Sequence, residues 1–283
     1  MTAVVEIMSA PVFAISSRDT LARARNLMLR KGVSRLVVVD DGKLRGIVTK
    51  KDLGMRLHQA EPQWRRRPLD HVPVELIMTP DPISASPDDE IQSVAQEMLD
   101  RDVSSIIIYT SKDGVQGIVT KHDLVRYFTL LGCPLKVGDM MSGKPPTVSR
   151  LHTIYSIIDT MAENNTDRVV VTDADNEKIC SGIITLDDLG FVEINPRSEK
   201  SFKEVRKTST AGPRKYRSYI ELPTVAEDVM SSPLVTVQRK NMAIEAARIM
   251  EKDNFDMLPV VDETLVGQFN YENILKWLSE GQE

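Results

Sequence analysis

Short apolar runs rich in β-branched residues alternate along this chain with longer stretches in which apolar side chains recur every three or four positions. The second pattern is Leu21, Ala24 and Met28; Ile91, Val94, Ala95 and Met98; Ile154, Ile157, Ile158 and Met161; and Ala243, Ala246, Ala247 and Met250. An i, i+3, i+4, i+7 stripe predicts a helix with one buried face, and it makes these methionines core filler. The helices should begin near Asp19, Asp89, His152 and Asn241, and three of these four residues suit an N-cap. The runs Leu36 to Val39, Ile106 to Tyr109, Val169 to Val171 and Leu258 to Val261 lack polar alternation, which predicts strands covered on both faces. A turn such as Asp40-Asp41-Gly42 or Lys112-Asp113-Gly114 leads into a further short strand and a second helix. Each unit therefore reads β-α-β-β-α.

The units are copies of one another. Gly46-Ile47-Val48-Thr49-Lys50-Lys51-Asp52-Leu53 returns as Gly117-Ile118-Val119-Thr120-Lys121-His122-Asp123-Leu124 and as Gly182-Ile183-Ile184-Thr185-Leu186-Asp187-Asp188-Leu189. A fourth copy, Gly267-Gln268-Phe269-Asn270-Tyr271-Glu272-Asn273-Ile274, keeps the shape and changes the chemistry. Each unit also opens on a methionine, at Met8, Met78, Met141 and Met230, followed by a small hydroxyl residue and a nearby proline. Four repeats in one chain set the architecture before any single residue is considered. At the strand-to-helix junction Thr-x-x-Asp reads in two ways. It is a capping box with no ligand, or it is a place where free backbone N–H groups, a hydroxyl and a carboxylate receive an anion and a sugar diol.

At 283 residues, 41% hydrophobic and 27% charged, with a net charge of −5, the composition is that of an ordinary globular protein. No apolar run reaches the ~18 residues of a membrane span, and no basic leader precedes an apolar stretch, so the expected location is the cytoplasm and no membrane partner is expected. Cys133 and Cys180, and His58, His71, His122 and His152, show no metal-ligand spacing, so no metal site is expected. The last interval between motif glycines is lengthened by an insertion, residues 195–221, carrying Arg197, Lys200, Lys203, Arg206, Lys207, Arg214, Lys215 and Arg217. It reads as a solvated linker, or as an electrostatic contact to an acidic partner, nucleic acid or ligand phosphates. A smaller basic patch, Trp64 to Pro68, reads as a surface loop.

In their order, the Met-Ser/Thr-x-Pro opening, the helix, the Val-Val-Val-Asp strand and the Gly-h-h-Thr-x-x-Asp ending, where h is apolar, resemble cystathionine-β-synthase (CBS) domains. The run Gly32 to Asp40 is particularly similar to repeats in the γ regulatory subunit of AMP-activated protein kinase. The resemblance implies an α/β fold of four repeats, at 1–62, 70–131, 134–194 and 222–283, paired into two Bateman modules that form a flat disc. It further implies that Asp52, Asp123 and Asp188 bind ribose hydroxyls and that Thr49, Thr120 and Thr185 lie beside ribose or phosphate. Ala14, Val33, Ser84, Val103 and Thr147 would frame adenine, and Arg35 and Arg168 would meet phosphate, with Lys50, Lys51, Lys121 and His122 inside the motif. Ser105 and Met257 replace the arginine in the second and fourth repeats, and Asn270 and Asn273 replace Thr and Asp in the fourth, whose site is expected to be weak or empty.

The resulting expectation is a non-catalytic sensor of AMP, ADP or ATP that acts through conformation or a protein partner, as a monomeric disc or a homodimer. The carboxylates recur in equivalent places, as binding sites do, whereas a catalytic constellation is normally singular. Two other readings remain open: a regulator associated with nucleic acid through the basic insertion, and a module for S-adenosylmethionine, whose cationic sulfonium Arg35 and Arg168 would repel.

Overall fold

The computed structural model describes residues 2–53, 71–173, 176–189, 201–209, 212–220 and 224–281. The patch at 64–68 and His58 lie outside these residues. The first repeat runs β1 (Ala14–Ile15), α1 (Leu21–Lys31), β2 (Arg35–Asp40), β3 (Lys43–Thr49) and a helix begun at residues 50–53, here α2. The second repeat, after the short strand β4 (Thr79–Pro80), gives β5 (Ser84–Ala85), α3 (Ile91–Asp100), β6 (Ser105–Thr110), β7 (Gly114–Thr120) and α4 (Lys121–Leu131). The third adds α5 (Val137–Met140), β8 (Thr147–Ser149), α6 (Ile154–Glu163), β9 (Arg168–Asp173), β10 (Asn176–Thr185) and α7 (Leu186–Leu189). The insertion carries strands β11 (Ser201–Ser209) and β12 (Gly212–Ile220), and the fourth repeat closes with α8 (Ala226–Val229), α9 (Ala243–Asp253), β13 (Met257–Val261), β14 (Leu265–Asn270) and α10 (Tyr271–Glu280).

The apolar strands are covered on both faces by two different sets of neighbours. Leu36 and Val38 pack with α1 residues Leu21, Ala24 and Met28, while Val37 between them points the other way and meets Ile107 and Ile118 of the second repeat. Val169 and Val171 likewise face α6, and Val170 meets Met257 and Leu265 of the fourth repeat. The repeats are thus paired sheet to sheet, first with second and third with fourth. The core methionines Met28, Met98, Met161 and Met250 are all buried, as their helical spacing predicts.

Pairing goes further than face-to-face contact, because each opening segment is exchanged. Ser9 of the first repeat pairs antiparallel with Ile118 of the second, and β4 of the second pairs with Gly46 and Ile47 of the first. The other pair repeats the exchange, Ser142 with Gln268 and Ser231 with Ile183. Hence the motif glycines: a Cβ on Gly46 would lie 2.7 Å from the Thr79 carbonyl, and one on Gly267 would lie 2.5 Å from that of Ser142. Helices α3, α4, α9 and α10 of the second and fourth repeats then share one core, in which Phe128 and Trp277 meet edge to face at 5.0 Å.

Two expectations change. The N-caps are Thr20, Glu90, Thr153 and Met242, each one residue later than anticipated. Asp19, Asp89, His152 and Asn241 instead accept from the backbone N–H three residues earlier, those of Ser16, Ser86, Ser149 and Gln238, so they close the turn before the helix. The insertion, read as a solvated linker or an electrostatic contact, carries secondary structure of its own: β11 and β12 form a regular antiparallel ladder from Ser201 opposite Ile220 to Ser209 opposite Gly212.

Candidate ligand-binding clefts

All four motif junctions are capping boxes. Thr49 N–H and hydroxyl both donate to Asp52 Oδ2, at 2.7 and 2.8 Å, and Asp52 N–H returns a bond to Thr49 Oγ1 at 3.2 Å. Thr120 with Asp123 and Thr185 with Asp188 repeat this geometry. In the fourth repeat, Asn273 Oδ1 accepts from Asn270 N–H at 2.9 Å, and Asn270 Oδ1 accepts from Asn273 N–H at 3.2 Å. The cap therefore uses one carboxylate oxygen of each aspartate and leaves the other for something else.

What the other oxygen meets divides the repeats. In the second, Asp123 is buried, and its Oδ1 accepts from Ser9 Oγ at 2.9 Å and from Arg126 Nη2 at 3.3 Å. In the fourth, Asn273 Nδ2 donates to Ser142 Oγ at 2.9 Å. The exchanged serine thus closes both even-numbered junctions. In the first and third, Asp52 and Asp188 are half-buried, and their Oδ1 atoms have no partner among the described residues. Burial pushes the Asp52 carboxyl above its ordinary value, against the bonds from Thr49 and the nearby charges of Lys51 and Arg35.

The expected cationic residues converge where the two modules face each other. Arg35 Nη1 donates to the Ser104 carbonyl at 2.8 Å and to Ser104 Oγ at 3.1 Å. Arg168 is buried, with Nε on Asp167 Oδ1 at 2.7 Å and Nη1 on the Asp256 carbonyl at 3.0 Å. Burial opposes its charge, but Asp167, Glu272 and Asp256 more than offset this and hold the guanidinium above its ordinary pKa. Lys51 pairs with Asp167 and Lys121 with Glu272, each at 3.4 Å, so both lysines reach from the first module into the second. Burial raises the Asp167 carboxyl, and Arg168 and Lys51 overcome it and bring the group to about 2. Tyr271 bonds to Asp256 and lies in the field of both arginines, with its hydroxyl pushed up by burial and by Asp256.

The remaining expected residues hold equivalent places. Ala14, Ser84 and Thr147 are exposed on the short edge strands, opposite Val37, Ile107 and Val170 in matching register. Val33 and Val103 are half-buried just after α1 and α3, each donating its N–H to the carbonyl of the helix methionine, Met28 or Met98. Lys50 is half-buried, and His122 Nδ1 is buried with no hydrogen-bond partner among the described residues. Asp167, Asp256, Tyr271, Glu272 and Ser104 were not anticipated. Counting along the repeats would have placed Ser34, Ser104, Asp167 and Asp256 in one register position, next to the arginine position. Among the described residues no cluster of His, Cys, Asp and Glu could hold a metal ion, and no helix is long and apolar enough to cross a membrane.

A family model described as CBS domain matches four stretches of the chain, residues 4–57, 72–130, 137–189 and 225–280. The solved structure of protein MJ1225 from Methanocaldococcus jannaschii, described as a proposed archaeal homologue of γ-AMPK, superposes with a TM-score of 0.80 at 19% identity, covering 98% of this chain and 99% of that one. A conserved protein from Pyrococcus horikoshii gives a TM-score of 0.63 at 17% identity over 98% of this chain and 100% of that one. Protein MJ1404 of M. jannaschii is 27% identical over 180 residues, which is 61% of this chain and 39% of that protein. The sequence of MJ1225 aligns at 26% over 129 residues, 44% of this chain and 46% of that protein, so the matches span less than half of either curated relative.

Proposed function

The chain belongs to the CBS-domain family, with four repeats in two exchanged pairs, and from that premise we propose that it is a non-catalytic regulatory sensor of adenine nucleotides. AMP, ADP and ATP are the ligand set, and the response is a change in conformation or in binding to a protein partner. The observation that carries this reading is the spare carboxylate oxygen of Asp52 and Asp188 beside a cation-rich module boundary. A ribose diol donates to the spare oxygen without disturbing the cap. Phosphates then compete with Asp167 and Glu272 for Lys51, Lys121 and Arg168, which gives a ligand unequal contacts in two arrangements of the modules.

On this reading the first and third repeats carry the principal clefts, while Asp123 and Asn273 act as caps tied to Ser9 and Ser142. The test is isothermal titration of nucleotide-stripped protein with AMP, ADP and ATP. Asn is the appropriate replacement, because Asn273 already holds the same cap in the fourth repeat. Weakening a charge-assisted ribose bond should lower affinity roughly tenfold in Asp52→Asn and Asp188→Asn, and Asp123→Asn should leave it nearly unchanged. No heat with any of the three nucleotides, in folded protein, would sink the proposal. Displacement of ADP by S-adenosylmethionine at similar concentration would move the ligand to that class.

A further inference from the structure

The outer rim of each repeat, at the far end of the strands from the motif junction, is built on one backbone frame. Glu75 N–H bonds to the Ser17 carbonyl at 3.0 Å, Val5 to Pro87 at 3.1 Å, Glu227 to Arg150 at 3.1 Å and Gly138 to Arg239 at 2.9 Å. Positions 17, 87, 150 and 239 are therefore equivalent by hydrogen bonding, as they are by their distance from the opening methionine.

In the third repeat this position supplies its own cation. The Arg150 guanidinium lies between two carboxylates, with Nε on Asp173 Oδ1 and Nη1 on Glu227 Oε1 at 3.1 Å, while Nη2 donates to Ser181 Oγ at 3.0 Å. All three nitrogens are used, and Ser181 Oγ itself donates to Asp173 at 2.9 Å. The fourth repeat keeps a looser form, Arg239 Nε to Asp262 Oδ2 at 3.6 Å. The first repeat keeps both carboxylates, Asp40 and Glu75, at the places of Asp173 and Glu227, but offers Ser17 where the arginine stands. A cleft of about 550 Å³ is lined there by Ser17, Asp40 and Glu75, with Val39 and Met78 as apolar wall. Ser16 Oγ and Ser17 N–H hold Asp40 Oδ1 at 2.7 and 3.1 Å, and among the described residues neither Asp40 Oδ2 nor the Glu75 carboxylate has a hydrogen-bond partner.

We infer that this rim cleft of the first repeat binds a guanidinium cation, the group that the third repeat supplies from within. The two carboxylates stand on the frame that presents a fork to Arg150, a geometry suited to planar bidentate recognition. Val39 and Met78 offer an apolar surface to a methylene stem. Arg45 replaces Ser181, and Arg18 also lines the cleft, so an anion is the rival occupant to be tested. The guanidinium comes from a free guanidino compound or from an arginine side chain of a polypeptide.

The test titrates the full chain with agmatine, with an arginine-containing peptide amide and with inorganic phosphate. Agmatine should bind saturably, at least about tenfold more weakly to Asp40→Asn, and with no change in Asp52→Asn, which separates this cleft from the proposed nucleotide site. Ser17→Arg should fill the cleft, abolish agmatine binding and raise the unfolding midpoint. Arg150→Ser should open a second equivalent site, doubling the stoichiometry, and agmatine should restore part of its lost stability. A peptide bound more than tenfold tighter than agmatine identifies a polypeptide source, and equal affinities a free compound. No agmatine binding at tens of millimolar, binding unaltered by both Asp40→Asn and Ser17→Arg, or displacement of agmatine by phosphate overturns the inference. If Ser17→Arg does not fold, Asp40→Asn decides.

Discussion

Replacing Gly267 by alanine places a methyl group 2.5 Å from the Ser142 carbonyl oxygen and 3.2 Å from the Met141 sulfur. The sulfur ends a flexible side chain and moves aside, but the carbonyl is backbone and is itself engaged. Ser142 N–H bonds to the Gln268 carbonyl at 2.9 Å and Gln268 N–H to the Ser142 carbonyl at 3.2 Å, so relief of the clash requires both bonds to open. Two backbone bonds at roughly 1 kcal/mol each, with residual overpacking of about 1–2 kcal/mol, give a loss of roughly 3–4 kcal/mol. For a chain of this size that is a fall of on the order of 10 °C in melting temperature. Two other glycines calibrate the result. At Gly117 the nearest atom to a new Cβ is the Met8 sulfur at 2.5 Å and the Ser9 carbonyl stands back at 3.2 Å, so the loss should be about half as large. At Gly143 nothing lies within 4 Å, and alanine should be neutral or stabilising by about 0.5 kcal/mol. Urea unfolding followed by circular dichroism reads all three. Equal midpoints for Gly267→Ala and Gly143→Ala would refute the claim that segment exchange is what requires the motif glycine.

Acid should destabilise the module boundary. The Asp167 carboxyl falls from its ordinary value to about 2 in the folded chain, so its contribution is complete above pH 4 and is lost as pH falls towards 2. Asp167→Asn should flatten that limb of a stability-versus-pH curve, and an unchanged limb would refute the assignment. Trp277→Ala removes the edge-to-face partner of Phe128 from the core shared by the second and fourth repeats and should cost about 3–5 kcal/mol by denaturant unfolding. A cost below 1 kcal/mol would show that this core does not hold the modules together.

The elements were legible in the chain because helical and strand periodicities are local. Leu21, Ala24 and Met28 fall on one buried face, as their spacing demands, and the unbroken run Leu36 to Val38 correctly implied cover on both sides. The Thr-x-x-Asp junctions were legible as capping boxes, in which one carboxylate oxygen serves the helix; at Asp52 and Asp188 the other oxygen has no partner among the described residues. Which junctions keep the spare oxygen was not legible, since Ser9 reaches Asp123 from 114 positions away and nothing local announces it. The helix starts were misplaced by one residue because Asp and Asn side chains can serve either the helix ahead or the turn behind, and here they serve the turn. The meeting of Lys51 with Asp167 and Lys121 with Glu272 depends on how whole modules face each other, a property carried by the α3, α4, α9 and α10 core rather than by either residue.

The exchange of opening segments also sets an order of events during synthesis. The segment around Ser9 is made early, but its place in a sheet does not exist until Ile118 has left the ribosome. At ordinary elongation rates that is a wait of roughly ten seconds, during which Val4 and Ile7, destined for the core with Ile91 and Val94, have nothing to bury against. Ser142 waits in the same way for Gln268. A nascent chain stalled between the first and second repeats therefore presents an uncovered apolar segment to the cellular quality-control machinery, and the smallest piece that can emerge without one is a pair.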